Sequence, residues 1–432
     1  MKYYSLKNQS PTVDFKEATI RGQAPDKGLY FPETIPHLDK AFLREIENYE
    51  NGEIAFRVIQ PYVGDSIPGA ELERIANETV NFDIPLVSVS ENIASLELFH
   101  GPTLAFKDVG ARFMSRCLGY FVKDRSEKLI VLVATSGDTG GAVANGFYDV
   151  DGIEVVILYP SGKVSAVQEK QLTTLGKNIH ALEIEGSFDD CQKMVKDAFA
   201  DQQLNKRIFL TSANSINVAR WLPQQFYYFF AWKQWKDKDR PPVIAVPCGN
   251  FGNICGGILA HVSGLPVKHF IAACNANDTV PEFFATGNYQ PKKPVATISN
   301  AMDVGDPSNF VRMMELFHHR SADMKQMVST YSITDDQTNA TIQEVYERCH
   351  YLCDPHGAVA YMALQQYIAS EPDIQGYFLE TAHPVKFFDV VEPVIHATIP
   401  IPVSVQQQLA KEKVSTKMGI DSNGLKEFLL KL

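Results

Sequence analysis

The chain has 432 residues, 45% of them hydrophobic and 11% aromatic, and it carries a formal net charge of −11 with a pI near 5.5. That length predicts two or three lobes at roughly 150 residues each, and the apolar content supports a packed core and excludes a disordered chain. The acidic balance excludes a general binder of nucleic acid or anionic membrane, so any bound anion needs locally concentrated positive groups.

The seven cysteines (Cys117, Cys191, Cys248, Cys255, Cys274, Cys349 and Cys353) are odd in number and scattered. They are expected to be reduced thiols, not a disulfide framework. Cys349 and Cys353 stand near His350 and His356, but with no second CxxC and no HExxH beside them no metal is expected. The opening "MKYYSLKNQS" lacks the apolar core of a signal peptide, and no apolar run approaches the ~20 residues of a membrane span. The expectation is a soluble cytoplasmic protein.

In chain order, residues 1–90 read as a turn-rich segment, with "QAPDKGLYFPETIP" followed by the amphipathic "LDKAFLREIENY". Next comes "HGPTLAFKD" at 100–108, with Lys107 among small and apolar neighbours. Such a lysine is ordinarily a solvated surface charge. The alternative is an amine kept partly desolvated, so that its pKa falls and it can attack a carbonyl. Nine residues leave both readings open.

From 129 the chain alternates. "LIVLVAT" (129–135), "EVVILYP" (154–160), "IHALEI" (179–184), "RIFLTS" (207–212), "PVIAVP" (242–247) and "VKHFIAA" (267–273) are short apolar runs that predict strands buried on both faces. Between them "SAVQEKQLTTLG", "DDCQKMVKDAFA" and the aromatic "INVARWLPQQFYYFFAWKQW" predict helices. This alternation predicts an α/β protein with mainly parallel sheets. The aromatic stretch is read as core or subunit interface.

Two strands run into glycine-rich turns that precede helices, "ATSGDTGGAVANGF" (134–147) and "PCGNFGNICGGILA" (247–260). Ligands of parallel sheets bind at the carboxyl ends of strands, and a helix N-terminus there suits phosphate. Neither turn follows GxGxxG closely and neither has GK[ST], which disfavours NAD and ATP and favours a smaller phosphorylated ligand. A third cluster, "SANSINVAR" (212–220), presents Asn214, Ser215 and Arg220. It reads either as a helix cap or as a clamp for phosphate or carboxylate.

The motifs "HGPTLAFKD", "TSGDTGGA", "NSIN..R", "GNFGN" and "TAHPVKF", with "GLYFPETIP" before them, resemble the fold type II pyridoxal-phosphate (PLP) enzymes, the class of the tryptophan synthase β subunit. Within that class they are most similar to the threonine synthases in their longer bacterial and fungal form, from about residue 5 to 400. The resemblance implies two α/β lobes plus an N-terminal segment: 1–90 packing on the core, 91–212 as a smaller lobe with the PLP lysine, and 213–432 as a larger lobe with the cofactor-phosphate loop.

It implies Lys107 as the Schiff-base lysine and acid–base group. Gly249, Asn250, Phe251, Gly252 and Asn253 would cradle the cofactor phosphate, and Thr381 would face the pyridine nitrogen. Asp138 would stand beside the cofactor's 3′-oxygen, where many fold type II enzymes have asparagine. Thr135, Ser136 and Thr139 would hold the substrate carboxylate and part of its phosphate, with Asn214, Ser215 and Arg220 completing the phosphate clamp. The implied reaction converts O-phospho-L-homoserine and water to L-threonine and phosphate. Rival readings are a phospho-lyase releasing 2-oxobutyrate, a dehydratase or cysteine synthase (which need no second phosphate clamp), and a non-catalytic phosphometabolite-binding protein.

Overall fold

The computed structural model describes residues 1–123, 125, 128–371 and 373–432. The runs of β-branched residues form two parallel sheets. Five strands, in the order Thr416–Met418, Ile179–Ile184, Ile153–Pro160, Leu129–Ala134 and Phe209–Thr211, pair in parallel throughout. Six more, in the order Val328–Ser332, His269–Cys274, Val243–Pro247, Gly376–Glu380, Ile93–Glu97 and Leu86–Ser88, are parallel except for the last pair. Strands such as Leu129–Ala134 and Val243–Pro247 are buried at every position, as sheets covered on both faces require.

All six apolar runs singled out in the sequence are strands, within a residue or two of the expected bounds. The sheets do not follow a linear division of the chain. Ile93–Glu97, within the expected 91–212 lobe, lies in the six-stranded sheet. Thr416–Met418, within the expected 213–432 lobe, adds a strand to the five-stranded sheet. Lys413 fastens this returning tail, lying 2.6 Å from Glu169 and 2.8 Å from Glu183.

Helix starts carry their own signals. Ser165 and Gln168 form a capping box at the helix Ala166–Thr173, and Ser187 and Asp190 form another at Phe188–Ala200. The aromatic stretch is broken into Val218–Trp221, a 3₁₀ turn Leu222–Gln225 and Phe226–Gln234, because Pro223 supplies no N–H to the ladder. Trp221, Tyr228 and Phe229 are completely buried within the chain itself, so this stretch is core. Gly256 lets the helix Gly252–Val262 pack against it: a Cβ there would lie 3.1 Å from the Gln224 backbone.

The N-terminal segment contributes a small antiparallel sheet, Val13–Asp14, Lys2–Ser5 and Tyr30–Pro32. Its backbone is tied to the main body at several points: the Thr19, Tyr30 and Leu43 carbonyls accept from Asn217, Arg312 and Trp232, and the Leu38 N–H donates to Ser263 O. No helix among the described residues is long and apolar enough to cross a membrane.

Candidate active site

Lys107 opens the helix Lys107–Val122, and its approach is tightly built. Thr103 donates its N–H and its hydroxyl to the two oxygens of buried Asp108, at 2.9 and 2.5 Å. Gly101 is needed for this turn, since a Cβ there would lie 2.5 Å from Asp108 Oδ2. The Phe106 N–H donates to Thr381 O at 2.9 Å, the His383 N–H donates to Leu104 O at 3.0 Å, and Ala105 bridges to Ala382. Thus "HGPTLAFKD" and "TAHPVKF", far apart in sequence, are laced together, and Lys107 stands beside Thr381.

The Lys107 side chain is half-buried and forms no hydrogen bond or ion pair among the described residues. Its nitrogen lies 5.7 Å from the Phe106 ring centroid. Burial lowers its pKa; Asp138 opposes the shift, and Lys386 and Arg220 reinforce it. The amine therefore loses its proton more readily than a surface lysine does, as the reading of a partly desolvated amine expects.

Asp138 begins the helix Asp138–Phe147, directly after the turn that ends Leu129–Ala134. Its Oδ1 receives Lys386 Nζ at 2.6 Å and Gln168 Nε2 at 2.9 Å. Burial alone would raise this carboxyl's pKa, but Lys386, Lys107 and the hydrogen bonds outweigh it and hold the group below the ordinary carboxylate range. Lys386 also donates to Thr103 O at 2.9 Å. The sequence reading quoted the segment that contains Lys386 but assigned that residue nothing; its aspartate partner lies in another motif.

In the same turn the Thr135 hydroxyl accepts from Gly137 N–H (3.0 Å) and Gly140 N–H (2.8 Å) and donates to Gly137 O (3.1 Å). One donor and two lone pairs are all a hydroxyl has. The Thr135 side chain is thus engaged in closing the turn. Ser136 and Thr139 are half-buried and their hydroxyls bond to none of the described residues.

The 249–253 loop is braced in the same way. Asn250 donates to Ser215 Oγ at 3.0 Å and accepts from the Ser308 N–H and hydroxyl at 2.6 and 2.7 Å. Asn253 donates to Pro247 O at 2.8 Å and accepts the Ile254 N–H at 3.0 Å. Phe251 takes the left-handed conformation, φ 61°, so that the helix Gly252–Val262 can begin. The N–H groups of Gly252 and Asn253 have no acceptor among the described residues. Backbone approach is close, since a Cβ on Gly249 would lie 2.7 Å from Met302 Cα. The side chains of this loop shape it, and its backbone offers the free donors.

Arg220 lies in the short helix Val218–Trp221, capped by the Asn217 side chain. It is 4% exposed, yet its Nη1 has no partner among the described residues. Burial lowers its pKa to about 10, against the pull of Tyr227 and Asp108. A desolvated, unpaired guanidinium nitrogen is costly unless an anion completes it. Ser215 Oγ accepts from both Asn250 and Asn309, each at 3.0 Å, and keeps its own proton to donate. The Asn214 side chain, half-buried, bonds to none of the described residues. The structure therefore sets the 214–220 cluster against the 249–253 loop.

Arg312, absent from the sequence reading, makes this juxtaposition rigid. It is fully buried and donates to Ser215 O, Ile216 O and Asn309 Oδ1, each at 2.7 Å, and to Tyr30 O at 3.2 Å. It stacks 4.3 Å from the Trp221 ring, and burial lowers its pKa to about 9. Sequence offers no signal for it, because its partners are mostly backbone carbonyls of distant segments.

These features fit a phosphorylated cofactor held on a lysine: a desolvated amine, a glycine cradle with free backbone N–H groups, and an unpaired buried guanidinium for a second anion. Comparison with known proteins agrees. The family model described as pyridoxal-phosphate dependent enzyme matches residues 89–374, and that described as threonine synthase N terminus matches residues 2–80. The chain is 43% identical over 432 residues to the threonine synthase of Buchnera aphidicola subsp. Schizaphis graminum, covering 100% of both chains. It is 41% identical over 431 residues to that of Escherichia coli K12, covering 100% of this chain and 99% of the other.

The crystal structure of Escherichia coli threonine synthase superposes with a TM-score of 0.93 at 41% identity, over 100% of both chains. The PLP-bound threonine synthase of Brucella melitensis gives 0.93 at 34% identity, over 100% of this chain and 99% of that one. The chain belongs to the threonine synthase family, PLP-dependent carbon–oxygen lyases of fold type II.

Proposed function

We propose that the protein converts O-phospho-L-homoserine and water to L-threonine and inorganic phosphate in the cytoplasm, with Lys107 carrying the cofactor. Arg220 carries this reading. Its Nη1 is unpartnered among the described residues, its charge is close enough to Lys107 to lower that amine's pKa, and Ser215 of the same segment is tied to the 249–253 loop, which supports a second anion site beside the first. One suits the cofactor phosphate and the other a phosphorylated substrate. Enzymes on this fold that dehydrate or replace an unphosphorylated group need only the first.

Bound pyridoxal phosphate supplies an electron sink conjugated to the substrate α-carbon. The residues of the chain do the rest. The Gly252 and Asn253 N–H groups bind the cofactor phosphate, and Thr381 takes the pyridine nitrogen. Lys107, with its depressed pKa, removes the substrate α-proton at Nζ and delivers protons later. Asp138, kept anionic by Lys386, sets the charge beside the cofactor's 3′-oxygen. Ser136 and Thr139 hold the substrate carboxylate, and Asn214, Ser215 and Arg220 hold its phosphate through elimination. Closing the two lobes over one another excludes water, apart from the molecule that adds at the β-carbon.

Seven cysteines, all free, support the cytoplasmic location. Incubation with O-phospho-L-homoserine and identification of the product tests the whole reading.

A further inference from the structure

Behind the cofactor loop lies a buried acid–imidazole pair that the reaction scheme does not use. Asp354 caps the helix Pro355–Ser370, accepting the His356 N–H on Oδ1 at 2.7 Å. The same oxygen receives His356 Nδ1 at 2.5 Å, and the two residues are 0% and 3% exposed. A capping aspartate with a histidine folded back on it is by itself an ordinary helix start. What these two do with their remaining acceptors is different.

His356 Nε2 accepts the Ala301 N–H at 3.2 Å, which requires the neutral imidazole with its proton on Nδ1, toward Asp354. Ala301 and Met302 form the turn packed against the cofactor loop: a Cβ on Gly249 would lie 2.7 Å from Met302 Cα and 3.0 Å from Ala301 O. The second Asp354 oxygen accepts the Ala382 N–H at 3.3 Å, one residue beyond Thr381. Glu380 accepts the Asp354 N–H at 2.5 Å, and burial together with the neighbouring Asp354 raises its pKa.

We propose that Asp354 and His356 are positioning residues for the cofactor. Through Ala301 the imidazole sets the turn that seats Gly249, and through Ala382 the carboxylate sets Thr381, so one buried pair aligns the two segments that grip opposite ends of the cofactor. This rests on the reading that 249–253 takes the cofactor phosphate and Thr381 the pyridine nitrogen.

The test titrates pyridoxal 5′-phosphate into the apoproteins of His356→Ala, His356→Gln, Asp354→Asn and Gly249→Ala. Binding is followed by the absorption band of the lysine-bound cofactor, and folding by circular dichroism. His356→Ala and Asp354→Asn should fold and bind about tenfold more weakly, the size of effect a lost hydrogen bond gives. His356→Gln, whose carbonyl can accept the Ala301 N–H, should recover most of the loss. If His356→Ala does not fold, the isosteric Asp354→Asn decides. Wild-type affinity in Asp354→Asn and His356→Ala, with Gly249→Ala impaired, overturns the positioning role and leaves the loop reading standing. Wild-type affinity in Gly249→Ala overturns the loop reading itself.

Discussion

Lys386 Nζ lies 2.6 Å from Asp138 Oδ1, with the lysine side chain 0% and the aspartate 5% exposed. The pair joins the two sheets, because Asp138 follows Leu129–Ala134 and Lys386 sits in the 3₁₀ turn after Gly376–Glu380. Two lysines and one carboxylate thus share the site. Lys386 holds the contact with Asp138, while Lys107 has no ion pair among the described residues and its pKa is lowered by burial.

Replacing Lys386 by methionine should therefore destabilise the apoprotein by about 3–5 kcal/mol, since it strands a buried carboxylate. The double variant Lys386→Met, Asp138→Asn should recover most of that loss. Urea unfolding measures both. A single variant as stable as wild type would show that the pair contributes nothing.

Arg220→Ala should keep its bound PLP and its absorption spectrum. Its kcat/KM on O-phospho-L-homoserine should fall about ten- to a hundredfold, as expected when a charge-assisted contact of about 1.5–3 kcal/mol is lost. Loss of cofactor from this variant would instead place Arg220 on the cofactor phosphate.

His383 supplies a pH dependence. Burial, with help from His100, lowers its pKa from 6.5 to about 4, and its neutral Nδ1 accepts the Val385 N–H at 3.1 Å. Between those two values the unfolded chain binds the proton that the folded chain refuses. This residue's contribution to stability is therefore complete above pH 6.5 and is lost as pH falls toward 4. His383→Gln should flatten the stability profile across that window, measured by unfolding at fixed pH. An unchanged slope would count against it.

Borohydride reduction of the holoenzyme, followed by peptide mapping, should mark Lys107 and leave Lys386 unlabelled, because Lys386 is engaged by Asp138 and Thr103. Label on Lys386 would reverse the roles of the two lysines.

Motifs built from local chemistry could be read directly. "IHALEI" is the strand Ile179–Ile184, and Ser165 announces a helix through its capping box. Lys107 and Arg220 stood out because each heads a cluster of concordant small residues. What could not be read depends on distant partners. Arg312 is held by backbone carbonyls from two distant segments, Ser215–Ile216 and Tyr30. Lys386 gains meaning only from Asp138, and His356 only from Ala301. Thr135, Asn250 and Asn253 look like ligands in sequence, yet they spend their side chains on shaping turns that present backbone or neighbouring groups. The Thr416–Met418 strand escaped notice because it is short and mostly exposed, so it shows no apolar pattern.

The most direct measurement is the product formed from O-phospho-L-homoserine alone. Purified holoenzyme should release phosphate and threonine in equal amounts, with 2-oxobutyrate only a minor product, and Thr139→Ala should shift the ratio toward the keto acid. Mainly 2-oxobutyrate from the wild-type enzyme, or no phosphate release, would contradict the account.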